Sequence, residues 1–251
     1  MKPDISVIIP VHEGRPFIAD AVNSALSQAD VNLEVLVADN GSEDETVEMI
    51  KGLMKTDERL SYIQALSGSG IAGARNAGVE AASGDWIALL DPNDKWHSDK
   101  LFRQSQLIRQ YESAGKYPPL CCTGAYVMND DGSFAGRVIK APSRISSHDL
   151  LTGSVIVAST AMVRRECLLT CPFEQGDLQE DYIEWFRILA QYGAAVGISL
   201  PLVRYTLTDR STSKNKLKSA FATWRTFKFL GLSNRQSLVS FASYLRRGLQ
   251  I

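Results

Sequence analysis

Over residues 1–97 the apolar positions follow two alternating rhythms. Largely apolar runs at residues 5–10, 33–38, 60–64 and 86–90 are short and bounded by polar or turn-forming residues, the pattern of strands buried in a sheet. Between them, residues 16–28, 44–55 and 70–82 read as helices. Phe17, Ile18, Ala21, Val22, Ala25 and Leu26 share one face of the first. Val47, Ile50 and Leu53 share one face of the second, which also has acids in its first turn. The third is rich in Gly and Ala. Strands separated by helices of roughly 10–15 residues predict right-handed βαβ units and a parallel sheet.

The rhythm changes after residue 97. A helix is predicted over 98–113, opened by a Ser98 cap and closed before Gly115 and Pro118. Residues 120–128 and 134–139 flank Asn129-Asp130-Asp131-Gly132 and read as a hairpin. Residues 155–163 read as a strand, 181–192 as a helix, and 195–198 and 202–206 as short strands. The expected class is α/β: a Rossmann-like, mainly parallel sheet flanked by helices, with a mixed C-terminal half. One domain is expected over 1–213, halved at residue 97, followed by a helical tail at 214–251.

Composition narrows the function only slightly. An apolar fraction of 45% and a charged fraction of 22% suit a soluble globular protein with a substantial core. A net charge of −1 gives no overall pull toward nucleic acid, and none is expected as a partner. From Arg210 onward, however, nine Lys or Arg and no Asp or Glu make the tail a basic appendage. The four cysteines form no C-x-x-C and none adjoins a histidine, so buried reduced thiols are expected rather than zinc. No signal peptide and no apolar run near the roughly 20 residues of a membrane span are legible. A cytoplasmic location is expected.

Chemistry concentrates where the strands end. In open α/β sheets ligands bind at the carboxyl ends of strands. Three such ends carry polar turns: Pro10-Val11-His12-Glu13, Asp39-Asn40-Gly41-Ser42 and Asp91-Pro92-Asn93-Asp94. Carboxylates there suit a ribose hydroxyl, a base edge, or a divalent cation that in turn holds a diphosphate. Asp39 read alone serves equally well as a turn or helix cap. Arg75, in Arg75-Asn76-Ala77-Gly78, opens the possibility of a guanidinium meeting phosphate, against the plainer reading of a surface arginine.

Taken in chain order, with Arg75-Asn76-Ala77-Gly78 ahead of Asp91-Pro92-Asn93-Asp94, and followed by Glu180-Asp181-Tyr182-Ile183-Glu184-Trp185-Phe186-Arg187, these motifs resemble the family 2 inverting glycosyltransferases of GT-A fold over about residues 5–215. The resemblance implies a nucleotide-sugar donor, commonly UDP-linked, bound with Mn²⁺ or Mg²⁺. It makes 1–97 the nucleotide-binding half and 98–213 the acceptor-binding half. Pro10, Val11, His12 and Glu13 would line the nucleotide, with Asp39 on the base and Gly41 in its turn. Arg75 would lie near the diphosphate, and Asp91, Pro92 and Asn93 would form the D-x-D turn, with Asp91 and Asn93 as metal ligands. Asp181 matches the general base, with Glu180 beside it. Trp185, one helical turn on, would face the acceptor, although a core position is the commoner fate of a helical aromatic.

Two departures weaken the implied metal site. Asn93 stands where the family usually has aspartate, and no histidine occurs in residues 205–213, where Thr208 occupies that place. Weak metal binding is therefore expected, with Asp94 substituting or holding the turn, or Arg210 assisting the diphosphate. The Gln-x-x-Arg-Trp signature of processive synthases is absent, so single-sugar transfer to a glycan or lipid-linked acceptor in surface polysaccharide biosynthesis is expected. The alternatives are a non-catalytic sugar-nucleotide binder or partner subunit, or a nucleotidyltransferase, which the single glycine after the first strand disfavours. The tail, with Phe221, Trp224, Phe227 and Phe229 among basic residues, suits an anionic membrane surface on the inner face of the membrane. Packing on the domain with a solvated basic edge suits it equally.

Overall fold

A computed structural model describes residues 2–152, 156–176, 180–207 and 224–248. One ten-stranded sheet forms its centre, in the order β3-β2-β1-β4-β9-β6-β10-β5, with β7 added to β6 and β8 to β10. The first layer is β1 (Ile5–Val11), β2 (Leu33–Asp39), β3 (Leu60–Gln64) and β4 (Trp86–Leu89), all parallel. β1 is buried along its whole length, because α1 (Ile18–Leu26) and α2 (Thr46–Met54) cover one face and α3 (Gly70–Ala81) the other. Glycine lets α3 approach closely: a Cβ on Gly78 would stand 2.6 Å from Ile8 Cγ2.

Beyond β4 the sheet becomes mixed, as expected. β9 (Met162–Arg164) runs antiparallel between β4 and β6 (Leu120–Met128), and β6 pairs with β7 (Phe134–Ile139) as the expected hairpin. β10 (Ala195–Thr206) lies parallel to β6. It is one strand rather than two, with register shifts around Pro201, which cannot donate to the ladder. Lys95–Trp96, the short β5, closes the edge against Val203 and Arg204.

Other departures have local causes. The helix predicted from Ser98 is α4 (Lys100–Ser113), and no side chain caps it: Asp99 instead engages His97 and Arg103. The strand predicted at 155–163 lies partly outside the described residues. Its described part is a 3-10 turn, Ala158–Thr160, leading into β9. β8 (Arg144–Ile145), α5 (Ser147–Leu151) and α6 (Arg165–Thr170) had no counterpart in the sequence reading. α7 (Glu180–Tyr192) follows, and the described part of the tail contains helical residues 224–229 (α8) and α9 (Asn234–Gly248).

Candidate active site

The carboxyl edge of the parallel layer gathers three loops. Val11 pairs with Asp39, and Ile8 with Leu89, so the chains leaving β1, β2 and β4 emerge side by side. Pro10 and Val11 are buried in the sheet, while His12 and Glu13 are exposed just past it. Asp39 is buried and engaged: Ser42 donates its hydroxyl at 2.5 Å and its N–H at 3.2 Å, and Tyr62 its phenol at 3.0 Å. Burial, with the Asp39 carboxylate, pushes the Tyr62 phenol up to about 12, so it remains a donor at neutral pH. Ser42 also accepts the Glu13 N–H at 2.8 Å, tying the first two loops together. Gly41 makes the turn at φ +83°, a left-handed conformation favouring glycine.

The third loop meets α3. Arg75 Nη2 donates to Asp91 Oδ1 at 2.9 Å, and its guanidinium lies 5.4 Å from the Phe173 ring centroid. Only 3% of the Arg75 side chain is exposed, against 22% for Asp91, so the ion pair opens outward on its carboxylate side. Asn76, next to Arg75, makes two bonds to one backbone: it donates to Phe173 O and accepts from Phe173 N, both at 2.9 Å. The Arg75-Asn76 pair thus joins the parallel layer to the chain that precedes α7.

Asp91 and Asp94, three residues apart, have opposite surroundings. Asp94 is buried, accepting from Ser159 Oγ at 2.5 Å and Thr206 N at 2.8 Å. Burial and the neighbouring Asp91 charge hold its carboxyl well above the usual range. It holds the turn and is not available to a cation. Ser159 also accepts the Asp91 N–H at 3.0 Å, and Asn93 Nδ2 donates to Thr206 O at 3.0 Å.

Asp181 lies in the first turn of α7, half-buried, and accepts its neighbour Tyr182 N–H at 2.8 Å. Burial raises its carboxyl above the usual range; the Arg75 guanidinium opposes this and the Asp91 charge adds to it. A carboxylate with a raised pKa, beside a guanidinium, is suited to accept a proton from a hydroxyl.

Not every expected site residue reaches this edge. The side chain of Glu180 lies outside the described residues, as do Thr208 and Arg210. Trp185 corrects an expectation: it is buried, donates Nε1–H to Ile156 O at 3.0 Å and meets Phe173 edge to face, so its ring belongs to the core and not to an acceptor. Tyr62, Asn76, Ser159 and Phe173 were not foreseen. Asn76 had a signal, lying inside the motif read for its arginine; Ser159 had none. Among the described residues, no group of three or more His, Cys, Asp or Glu is arranged to hold a metal ion. The turn offers Asp91 oxygen and the Asn93 amide oxygen, a sparse donor set for a cation that takes about six ligands.

A mixed α/β sheet with an arginine–carboxylate pair at its carboxyl edge, and a helix-borne acid within electrostatic reach of it, is an arrangement suited to a phosphorylated ligand. The family model "Glycosyl transferase family 2" matches residues 6–168, and the chain belongs to that family. It is 32% identical to the Bacillus subtilis protein "Putative teichuronic acid biosynthesis glycosyltransferase TuaG", over 90% of this chain and 88% of that protein. It is 30% identical to the Escherichia coli "UDP-Glc:alpha-D-GlcNAc-diphosphoundecaprenol beta-1,3-glucosyltransferase WfgD", over 88% and 83% respectively. Among solved structures, S. aureus TarS 1-349 in complex with UDP-GlcNAc superposes with a TM-score of 0.74 at 15% identity, covering 99% of this chain and 73% of that one. The Pyrobaculum calidifontis mannosyltransferase PcManGT, in complex with GDP-Man and Mn²⁺, gives 0.69 at 17% identity, covering 98% and 70%. These likenesses establish the GT-A fold.

Proposed function

We propose that the protein transfers a single sugar, with inversion, from a UDP-linked donor to a hydroxyl of a glycan or lipid-linked acceptor in surface polysaccharide biosynthesis. The observation carrying this reading is the electrostatic cluster of Asp181, Arg75 and Asp91. Inversion is one in-line displacement, needing a base on the acceptor side and charge stabilisation on the leaving diphosphate. Asp181 takes the acceptor proton, and Arg75, buried behind Asp91, supplies positive charge at the diphosphate end of the cleft. An ionised carboxylate has about four acceptor sites, so Asp39 retains capacity for a base N–H beyond its present donors. Pro10, Val11, His12, Glu13 and Gly41 form the surrounding nucleotide cleft, and Glu180, the sequence neighbour of the base, is assigned to the acceptor.

Mn²⁺ or Mg²⁺, held weakly by Asp91 and the Asn93 amide oxygen together with the diphosphate, would supply further charge neutralisation. The names of TuaG and WfgD support a polysaccharide pathway and a lipid-diphosphate acceptor, and the absence of a processive signature supports single-sugar transfer. The basic tail supports work at an anionic membrane face. The test is Asp181→Asn: thermal shift by UDP-sugars should survive while transfer falls at least about 100-fold. Unchanged transfer would remove Asp181 from the base role.

A further inference from the structure

The D-x-D turn contains an unexplained asymmetry: two neighbouring side chains both contact Thr206. Asp94 Oδ1 accepts the Thr206 N–H at 2.8 Å, and Asn93 Nδ2 donates to the Thr206 carbonyl at 3.0 Å. Thr206 ends β10, and its strand partner explains why this matters. In a strand, the N–H and C=O of one residue point to the same edge, and successive residues point to opposite edges. Leu207 N–H goes to Met128 O on the β6 side, so Thr206 presents both polar groups to the other edge. At that edge β5 pairs with Arg204 and Val203 through Lys95 and Trp96 and then stops. The chain has to leave the ladder there, because Asp91 must reach the end of β4.

Asn93 and Asp94 replace the missing strand with side chains. One backbone N–H needs an acceptor and one carbonyl needs a donor. A carboxylate can only accept when ionised, and an amide can donate. Which amide atom faces Thr206 O is settled by chemistry, since a carbonyl cannot donate. Two aspartates in these positions would leave the carbonyl facing a negative oxygen. Ser159, buried and bonded to both Asp94 and the Asp91 N–H, completes the brace from below.

We propose that Asn93 is a positioning residue: with Asp94 it forms a donor–acceptor clamp on Thr206 that locks the diphosphate-facing turn to the end of β10. The asparagine at this D-x-D position then has a structural reason, and is not merely a weakened metal ligand. The inference deepens the proposed function, on which its catalytic part rests. Its amide nitrogen is committed to the clamp, leaving the oxygen for a cation.

Asn93→Asp separates the two roles. As a ligand change alone it should tighten Mn²⁺ binding and preserve or improve turnover. As a broken clamp it should tighten Mn²⁺ yet raise the donor KM about 10-fold, with a smaller change in kcat. The Thr206 and Leu207 amides keep their own acceptors on Asp94 and Met128. Their hydrogen exchange should accelerate about 10-fold because the end of β10 opens more readily once the bond to the Thr206 carbonyl is lost. Asn93→Ala should show the same faster exchange without the gain in Mn²⁺ affinity. Unaltered exchange in both variants, or an Asn93→Asp enzyme with an unchanged donor KM, would overturn the clamp. Should the wild-type chain transfer no sugar from any donor, the exchange measurement still decides the clamp, and only the proposed function fails.

Discussion

At the scale of single residues, several side chains of the site make two hydrogen bonds at once, Asp94 and Asn76 among them. Asn76 is the clearest case, because both ends of its amide serve the Phe173 backbone. Asn76→Ala removes two hydrogen bonds and leaves partly buried polar groups behind, so the native state should lose about 1–3 kcal/mol, measured by urea unfolding. Asn76→Asp keeps the acceptor but turns a carboxylate toward Phe173 O, and should cost at least as much. A neutral result would mean that water replaces the amide without loss. The legible residues, Asp39, Arg75, Asp91 and Asp181, lay in compact motifs. Ser159 reaches Asp94 across 65 positions of sequence and sits among small residues that carry no pattern. For Asp94 two readings stood open, a substitute ligand and a holder of the turn, because a turn full of acids does not reveal which of them faces inward. Its bonds to Ser159 and Thr206 make it the holder.

At the scale of elements, periodicity recovered the pieces long enough to express it. The four parallel strands and the three helices between them carry apolar positions at the right period, and the hairpin was marked by its Asn129-Asp130-Asp131-Gly132 turn although β7 is mostly exposed. Two-residue strands such as β5 and β8 have no period, and the apolar run before β9 misled because Ala158-Ser159-Thr160 turns to reach Asp94. The short helix α5 had a readable signal, the Ser146–Asp149 capping box. Helix α7 holds a different kind of information. Its Glu184 is fully buried, with Oε1 3.3 Å from an Arg187 shared with Glu174, and among the described residues its Oε2 has no hydrogen-bond partner. Burial pushes this carboxyl up to about 8, although Arg187 opposes the shift. A folded pKa above the unfolded value means that the native state holds a proton the unfolded chain has released. The stability from neutral Glu184 is therefore complete below about 4.5 and is lost as pH rises toward about 8. Glu184→Gln should match the wild-type melting temperature near pH 4.5 and exceed it at pH 9. Parallel curves across that range would show that Glu184 is charged in the fold.

At the scale of the whole molecule, the tail is where exposure and polarity are at odds. The described part of α9 has its polarity reversed for a helix packed on a domain. Ser237 and Ser240 are buried, while Leu238 and Val239 are 60% and 62% exposed. Helical spacing puts Arg235, Leu238, Val239 and Ala242 on one outer face, all exposed. On α8 the exposed Arg225, Lys228 and Phe229 likewise share a face. α8 rests on α7, the helix of the candidate base, through Tyr182–Phe227 edge-to-face packing and Arg187 over Phe229, so whatever holds the tail also bears on that helix. No helix among the described residues is long and apolar enough to cross a membrane. An apolar stripe bordered by arginine, in a segment with no acid, matches an anionic bilayer surface, where each basic residue contributes about 1 kcal/mol and each immersed leucine about 1.5–3 kcal/mol. The protein should float with vesicles containing anionic phospholipid, bind neutral vesicles weakly, and detach as sodium chloride is raised. Leu238→Glu should weaken binding at least about 10-fold, Arg235→Glu somewhat less, and neither should shift the melting temperature, because both side chains already face outward. Equal binding to neutral and anionic vesicles would discard the electrostatic part of this reading. Dimerisation that Leu238→Glu abolishes, without vesicle binding, would assign the stripe to a second copy of the chain.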